Sequence, residues 1–159
     1  MNKMMDALEK ATAYLNRSPH TEKEVIDYLL RKGYEQDESE AAAADLKEYG
    51  YIDDLSYAKL YFEYGFEKGR GKDRIKRELA AKGVSRDVID QAYSELEDIP
   101  DEYEMALALA AQIVQENASD VAAMSYADRQ KLQAKIVRRL SSRGFSGSVC
   151  YSAAREIVK

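Results

Sequence analysis

Apolar residues recur along the chain at the spacing of an α-helix, and one such pattern occurs three times. In each copy a β-branched apolar residue precedes a leucine by four positions, and the leucine precedes a glycine by four positions. The copies are Val25, Leu29 and Gly33; Ile75, Leu79 and Gly83; and Ile136, Leu140 and Gly144. Because residues four apart share one helix face, each copy predicts a helix with a buried stripe. The glycine predicts a helix end in the left-handed conformation.

Two further apolar patterns accompany every copy. Upstream, four residues recur at relative positions 0, 3, 6 and 7, which is a helical period. Downstream, an alanine lies nine residues after each glycine and an aliphatic residue lies 13 after it. The upstream sets are Leu8, Ala11, Tyr14 and Leu15; Leu55, Ala58, Tyr61 and Phe62; and Tyr103, Ala106, Leu109 and Ala110. The downstream pairs are Ala42 and Leu46; Ala92 and Leu96; and Ala153 and Ile157. Each copy is therefore predicted to contain three helices.

The repetition predicts an all-α protein made of three tandem three-helix repeats, residues 1–50, 51–99 and 100–159. Units of this size have thin cores and stack on their neighbours, so we expect an elongated, curved array. Such an array offers a long binding surface rather than a deep pocket. The upstream alanine and the glycine are 22, 25 and 38 residues apart in the three copies. The third repeat is therefore predicted to have longer helices or an insertion, which would include residues 116–120.

Local signals agree with helix boundaries between these patterns. Thr21 and Glu24 have the spacing of a capping box after the break at residues 17–20, and Gly69 and Gly71 predict a similar break. Of the 12 tyrosines, those on helical stripes are predicted to lie in the core or at groove edges, and they suggest base stacking only weakly. They include Tyr14, Tyr28, Tyr61 and Tyr93.

Charge is unevenly distributed although the 159-residue chain has a formal net charge of only −5. Residues 68–86 contain eight basic and two acidic residues, and residues 129–159 contain eight basic residues and one acidic residue. Residues 97–128 contain eight acidic and no basic residues. The basic blocks have two interpretations: solvated helix faces, or a surface that meets phosphates or an acidic protein. The candidate contact residues are Lys72, Arg74, Lys76, Arg77, Lys82, Arg138, Arg139 and Arg143.

Residues able to support catalysis are few. His20 is the only histidine, in a predicted turn, so a metal site would lack ligands. Cys150 is interpreted as a small core residue, and the pair Asp53 and Asp54 as a helix N-cap rather than an acid/base site. The segment from Gly65 to Asp73 fails the spacing of a phosphate-binding loop. No cofactor is expected, and an enzyme is the function class with the least support.

Cellular location is predicted from what the sequence lacks. No apolar run approaches the length of a transmembrane helix, and the N-terminal residues show no apolar region of a secretion signal. A single cysteine is typical of the reducing cytoplasm. We therefore expect a cytoplasmic protein without a membrane anchor.

Three ordered motifs resemble the RecX family of bacterial regulatory proteins. The central one comprises Tyr51-Ile-Asp-Asp-Leu-Ser-Tyr-Ala58, Gly71-Lys-Asp-Arg-Ile75 and Glu78-Leu-Ala-Ala-Lys-Gly-Val84. Residues 11–34 are similar to the family's first repeat, and residues 140–146 to its third. The signature positions on which the resemblance depends are Gly33, Asp53, Asp54, Gly71, Gly83 and Gly144. The chain departs from the family where many members have proline (here Lys72) and a basic residue near position 56 (here Ser56).

The resemblance implies a function in DNA repair and homologous recombination as part of the SOS response. A member of this family is expected to bind the filament of the RecA recombinase as a monomer. It would inhibit RecA ATP hydrolysis, strand exchange and filament assembly, and direct contact with single- or double-stranded DNA stays open. The alternative from the basic blocks is a helical nucleic-acid-binding module that acts on DNA without RecA.

Overall fold

Helices account for all the regular secondary structure in the described part of the chain. The computed structural model describes residues 3–117 and 120–159, and within these ranges it contains nine helices and no β-strand. The helices are α1 (Lys3–Arg17), α2 (Glu22–Arg31), α3 (Gln36–Glu48), α4 (Asp54–Glu67), α5 (Lys72–Ala81), α6 (Arg86–Ser94), α7 (Glu102–Asn117), α8 (Tyr126–Ser142) and α9 (Gly147–Ile157). The all-α prediction is confirmed. Within the described ranges, no helix has both the length and the apolar composition that a membrane-spanning segment requires.

The three repeated glycines end the second helix of each repeat in the same way. Gly33, Gly83 and Gly144 have φ angles of 96°, 91° and 99°. The residue after each glycine donates its N–H to the repeated leucine, with N–O distances of 3.1, 3.1 and 3.2 Å. This is the Schellman arrangement, which satisfies carbonyls at a helix end. The predicted left-handed helix ends are confirmed.

Four of the predicted apolar positions are buried in all three repeats, with exposures of 0–1%. The repeated positions are Ala11, Ala58 and Ala106 in the first helices; Val25, Ile75 and Ile136 with Leu29, Leu79 and Leu140 in the second; and Ala42, Ala92 and Ala153 in the third. Small alanines at the outer helices let the backbones approach closely around the larger residues of the second helix.

The aliphatic residue 13 positions after each glycine was predicted to be buried, and this is correct only in the first repeat. Leu46 is buried in α3. Leu96 is only half-buried, because α6 is a nine-residue helix that ends at Ser94. Ile157 is also half-buried, and the next residue, Val158, fills the core instead.

The third repeat has longer helices, as its spacing predicted. Helix α7 has 16 residues and α8 has 17, compared with 14 in α4 and 10 in α5. The predicted insertion includes residues 118 and 119, which lie outside the described residues. The additional length of α8 is at its N-terminal end, since the glycine-based alignment fixes the other end.

The chain divides into two units, residues 1–61 with 78–96 and residues 62–77 with 97–159. In the first unit α1, α2 and α3 enclose a core made of Ala7, Ala11, Val25, Leu29, Ala42, Ala43, Leu46 and Ile52. In the second unit α7, α8 and α9 enclose a core made of Ala106, Ala110, Ile113, Leu132, Ile136, Leu140, Phe145, Cys150, Ala153, Ala154 and Val158. Helices α4 and α5 contribute residues to both units.

Within the first unit, Thr21 links the start of α2 to the end of α5. Its buried hydroxyl accepts the N–H of Glu24 at 3.2 Å and donates to the carbonyl oxygen of Lys82 at 2.6 Å. The Glu24 carboxylate accepts the N–H of Thr21 at 3.0 Å, which completes the predicted capping box. One hydroxyl therefore satisfies both a helix N-terminus and a helix C-terminus.

Replacing Thr21 with valine should destabilise the protein by about 2–3 kcal/mol, because the variant leaves a partly buried N–H and a partly buried C=O without their present partner. Thr21→Ser keeps both hydrogen bonds and loses one methyl group, so it should cost about 1 kcal/mol. Urea unfolding followed by circular dichroism measures both values. Equal losses in the two variants would show that methyl packing, not the hydroxyl, stabilises this position.

Within the second unit, an equivalent contact links the start of α5 to the end of α8. The N–H of Gly71, which aligns with Thr21, donates to the carbonyl oxygen of Arg143 at 2.7 Å. The N–H of Lys72 donates to the carboxylate of Glu102 at 2.8 Å. The second helix of one repeat thus begins against the end of the second helix in the next repeat. This contact places the first turn of α5 at the C-terminal end of α8.

Candidate functional site

The paired aspartates at the start of α4 are helix caps for two different helices. Asp53 accepts the N–H and the hydroxyl of Ser56 at 3.1 and 2.9 Å, and these bonds lower the pKa of Asp53. Asp54 accepts the N–H of Glu22, the first residue of α2, at 3.0 Å. Burial raises the pKa of Asp54 despite that hydrogen bond. The capping prediction is confirmed for Asp53, whereas the cap that Asp54 provides to α2 required the tertiary structure.

The raised pKa of Asp54 predicts a dependence of stability on pH. A carboxyl that is more basic in the folded state binds its proton more tightly there, so its contribution to stability is largest in acid. This contribution falls as the pH rises from about 3.9, the ordinary aspartate value, through the folded-state pKa. Asp54→Asn keeps an oxygen acceptor for the Glu22 N–H, but it should lose this pH-dependent contribution to stability. As the pH rises from 3 to 7, the unfolding free energy of the parent protein should therefore fall relative to that of Asp54→Asn. Parallel curves for the two proteins would contradict this prediction.

His20 and Cys150, the two other candidates for chemistry, have structural roles. The His20 ring stacks on Tyr14 at a centroid distance of 3.8 Å, and Tyr14 stacks on Tyr28 at 3.9 Å. Sequence reasoning placed His20 in a turn but did not foresee this stack. Cys150 is fully buried, and burial raises the pKa of its thiol. The core prediction for Cys150 is confirmed. The described residues contain no group of three side chains suited to a metal ion.

The tyrosines on the helical stripes have the second of the two predicted positions, the groove edge. None of the 12 tyrosines is buried, and the exposed ones are Tyr49, Tyr51, Tyr64, Tyr103, Tyr126 and Tyr151. The four tyrosines on the helical stripes are half-buried, which agrees with the groove-edge alternative. A phenol hydroxyl needs a hydrogen-bond partner, and the edge of a helical unit provides water.

The predicted contact residues are unequally divided between the units. Lys72, Arg74, Lys76, Arg77, Arg138, Arg139 and Arg143 lie in the second unit, and Lys82 lies in the first. The second unit contains 14 basic and 12 acidic residues, whereas the first contains ten basic and 17 acidic residues. A polyanionic partner would therefore favour the second unit.

Two of the predicted residues meet where α5 begins and α8 ends. The Arg74 guanidinium lies 3.5 Å from the carbonyl oxygen of Ser142, and the Arg143 guanidinium donates to the carbonyl oxygen of Lys68 at 3.1 Å. A Cβ on Gly144 would lie 2.3 Å from the Arg74 Cβ, so the glycine permits this approach. Main-chain carbonyls thus orient both arginines.

Lys68 and Arg70, in the loop between α4 and α5, complete this group. The charged ends of Lys68 and Arg70 lie 5.6 and 5.5 Å from the ring centroid of Tyr64. We call Lys68, Arg70, Arg74 and Arg143 the basic cluster. Sequence analysis placed Lys68 and Arg70 in a basic block but did not select them, since loop residues carry no helical period. Their position beside Gly69 and Gly71 was the available signal.

The other predicted residues lie apart from the basic cluster or have different neighbours. Arg139 pairs with Glu116 of α7 at 3.5 Å. The Lys82 ammonium lies 5.5 Å from the centre of the Tyr61 ring, within the first unit. Arg138 is exposed on α8. The eight residues therefore do not form one continuous site in any single unit.

Comparison with known proteins identifies the family. Residues 7–46 match the model of "RecX, first three-helix domain", and residues 53–92 match "RecX, second three-helix domain". The chain is 36% identical over 143 residues to "Regulatory protein RecX" of Vibrio vulnificus, covering 90% of this chain and 87% of that protein. The chain belongs to the RecX family. It is a family of regulatory proteins, and the resemblance seen in the sequence is confirmed.

Other RecX proteins show the same fold and a difference in length. "Regulatory protein RecX" of Clostridium perfringens strain 13 is 34% identical over 138 residues, or 87% of this chain, but the match spans only 62% of that relative. The crystal structure of RecX from Lactobacillus salivarius superposes with a TM-score of 0.78 at 23% identity, covering 98% of this chain and 96% of that one. The tandem three-helix fold is therefore that of solved RecX structures.

The structure explains in physical terms why several positions of the RecX-like signature have the residues they do. The RecX-like glycines Gly33, Gly83 and Gly144 occupy left-handed helix ends, and Gly71 lies in a contact between helix ends. Asp53 and Asp54 cap helices. These signature residues thus build the RecX fold.

Proposed function

We propose that this RecX-family protein binds the RecA recombinase filament and inhibits RecA ATP hydrolysis, strand exchange and filament assembly during DNA repair. The observation that carries the proposal is the 36% identity over most of a protein named as a RecX regulator. It acts in the cytoplasm as a monomer, with repeats at residues 1–50, 51–99 and 100–159.

Inhibition by binding needs no catalytic residue in the regulator. A ligand shifts a conformational equilibrium only as far as its affinities for the two states differ. A protein that binds better to an inactive or disassembling filament therefore lowers the rate of ATP hydrolysis. The basic cluster supports this proposal because it offers oriented cations to an acidic protein surface or to phosphates within the filament.

The test is the steady-state ATPase rate of RecA on single-stranded DNA, with RecA from the same organism. We expect the rate to fall with increasing protein and filaments to shorten in electron micrographs. An unchanged rate at micromolar protein, together with no co-sedimentation with filaments, would reject the proposal. Heat-denatured protein at the same concentration is the control for non-specific effects.

A direct DNA-binding function is the second candidate, and one contact favours it. Lys68 and Arg70 flank the ring of Tyr64, which is 48% exposed, and cations around an accessible aromatic ring are typical of single-strand binding. Titration of a dye-labelled oligonucleotide without RecA at several salt concentrations separates the two functions. Tight binding with a steep salt dependence favours direct action, whereas weak binding that RecA strengthens favours the RecA proposal.

A further inference from the structure

A cleft in the second unit lies between α7 and α8. Its volume is about 120 Å³. Leu109 and Ile113 of α7 and Leu140 of α8 form an apolar floor. A cavity of about 150 Å³ can hold a benzene molecule, so this cleft has room for one small aliphatic side chain.

Two arginines from α8 form one rim of the cleft. Arg139 and Arg143 are four residues apart and therefore share a helix face. The hydrogen bond from Arg143 to the Lys68 carbonyl oxygen fixes one of them. Gly69 lies at the same end, since a Cβ there would lie 3.2 Å from the Arg143 guanidinium and 3.8 Å from the Leu109 methyls.

The opposite rim of the cleft carries a negative charge. It is formed by Gln112 and Glu116 of α7, and Glu116 is the acidic residue in the cleft lining. A nucleic acid has a phosphate at every nucleotide and would place this negative charge against Glu116. A peptide can place a carboxylate against the arginines and an apolar side chain on the floor.

We propose that this cleft binds an acidic peptide segment of a partner protein. One carboxylate lies between Arg139 and Arg143, because guanidinium groups match carboxylates in charge and in geometry. An adjacent apolar side chain packs on Leu109, which is only half-buried, next to the buried Ile113 and Leu140. In the free protein the Glu116 carboxylate lies 3.5 Å from the Arg139 guanidinium, so it competes with the incoming carboxylate for that arginine. The inference goes beyond the proposed function and holds whether or not RecA is the partner.

The test uses a dye-labelled nine-residue peptide of alternating glutamate and leucine, titrated with the full chain and followed by fluorescence anisotropy without RecA. Arg139→Glu should weaken binding at least tenfold. Arg138→Glu makes the same charge change one residue earlier, about 100° around the helix, and should change binding less than twofold. Glu116→Gln should strengthen binding about two- to fivefold, because a surface ion pair of this kind contributes at most about 1 kcal/mol.

Four results would overturn the peptide site. The first is that no peptide binds at millimolar protein, and the second is that Arg138→Glu and Arg139→Glu weaken peptide binding equally. The third is that a lysine–leucine peptide binds as tightly as the glutamate–leucine peptide. The fourth is that a nine-nucleotide oligothymidine displaces the labelled peptide at a lower concentration than the unlabelled peptide does. The third result would indicate an unspecific apolar surface, and the fourth a nucleic-acid site. Circular dichroism of each variant confirms that a loss of binding is not a loss of fold.

Discussion

Gly71→Ala should destabilise the protein by about 2–4 kcal/mol, although it adds a single methyl group. A Cβ at position 71 would lie 2.5 Å from the carbonyl oxygen of Gly144, 2.6 Å from its carbonyl carbon and 2.9 Å from the Phe145 nitrogen. All three are backbone atoms, so no rotamer change relieves the overlap. Moving the helix ends apart would also lengthen the 2.7 Å hydrogen bond from Gly71 to Arg143. Overpacking and a weakened buried hydrogen bond are both known causes of large losses.

Gly147→Ala is the matched control. Gly147 is the first residue of α9, and a Cβ there would have no atom within 4 Å. Alanine restricts the unfolded chain and favours the helix, so stability should stay constant or rise by up to about 1 kcal/mol. Urea denaturation at constant pH compares the two variants. If Gly71→Ala unfolded at the same urea concentration as the parent protein, the contact between α5 and α8 would not be close in solution.

Reversing the charge of Arg138, Arg139 and Arg143 to glutamate should raise the concentration for half-inhibition of RecA at least tenfold, about 1.4 kcal/mol of binding free energy. The same result is expected for Lys72, Lys76, Arg77 and Lys82 reversed together. Each set removes cations that we propose to meet negative groups of the filament, and each adds repulsion. The RecA ATPase assay gives the inhibition curve, and circular dichroism should show retained helicity.

A control variant with three reversed charges elsewhere separates local from global charge effects. Lys10, Arg17 and Lys32 are exposed in the first unit, and their reversal should change half-inhibition less than twofold. Since Arg143 also holds the Lys68 carbonyl oxygen, the pair Arg138→Glu and Arg139→Glu is a second test that leaves this bond intact. Normal inhibition by every basic-block variant would exclude the predicted contact residues, while the fold would be unaffected.

The candidate site was predicted less completely than the fold, because charge patterns specify residues but not their neighbours. The sequence placed Arg138 and Arg139 together, yet adjacent residues on a helix point in different directions. Only the structure pairs Arg139 with Glu116 and shows that Arg139 and Arg143, but not Arg138, line one cleft. Lys68 and Arg70 were overlooked as site residues because their positions depend on a loop between glycines.

The amino-acid pattern by itself determined the helices, their glycine ends and the residues that face the core. These features depend on interactions between residues three to five positions apart, which repeat visibly in a sequence. Contacts between distant segments leave no such period, so only the tertiary structure decided how Thr21 bonds to Lys82, why Gly71 must lack a side chain and where Asp54 finds its hydrogen-bond donor. The same reason applies to the cleft between α7 and α8, whose floor and rims come from segments that are more than 20 residues apart along the chain.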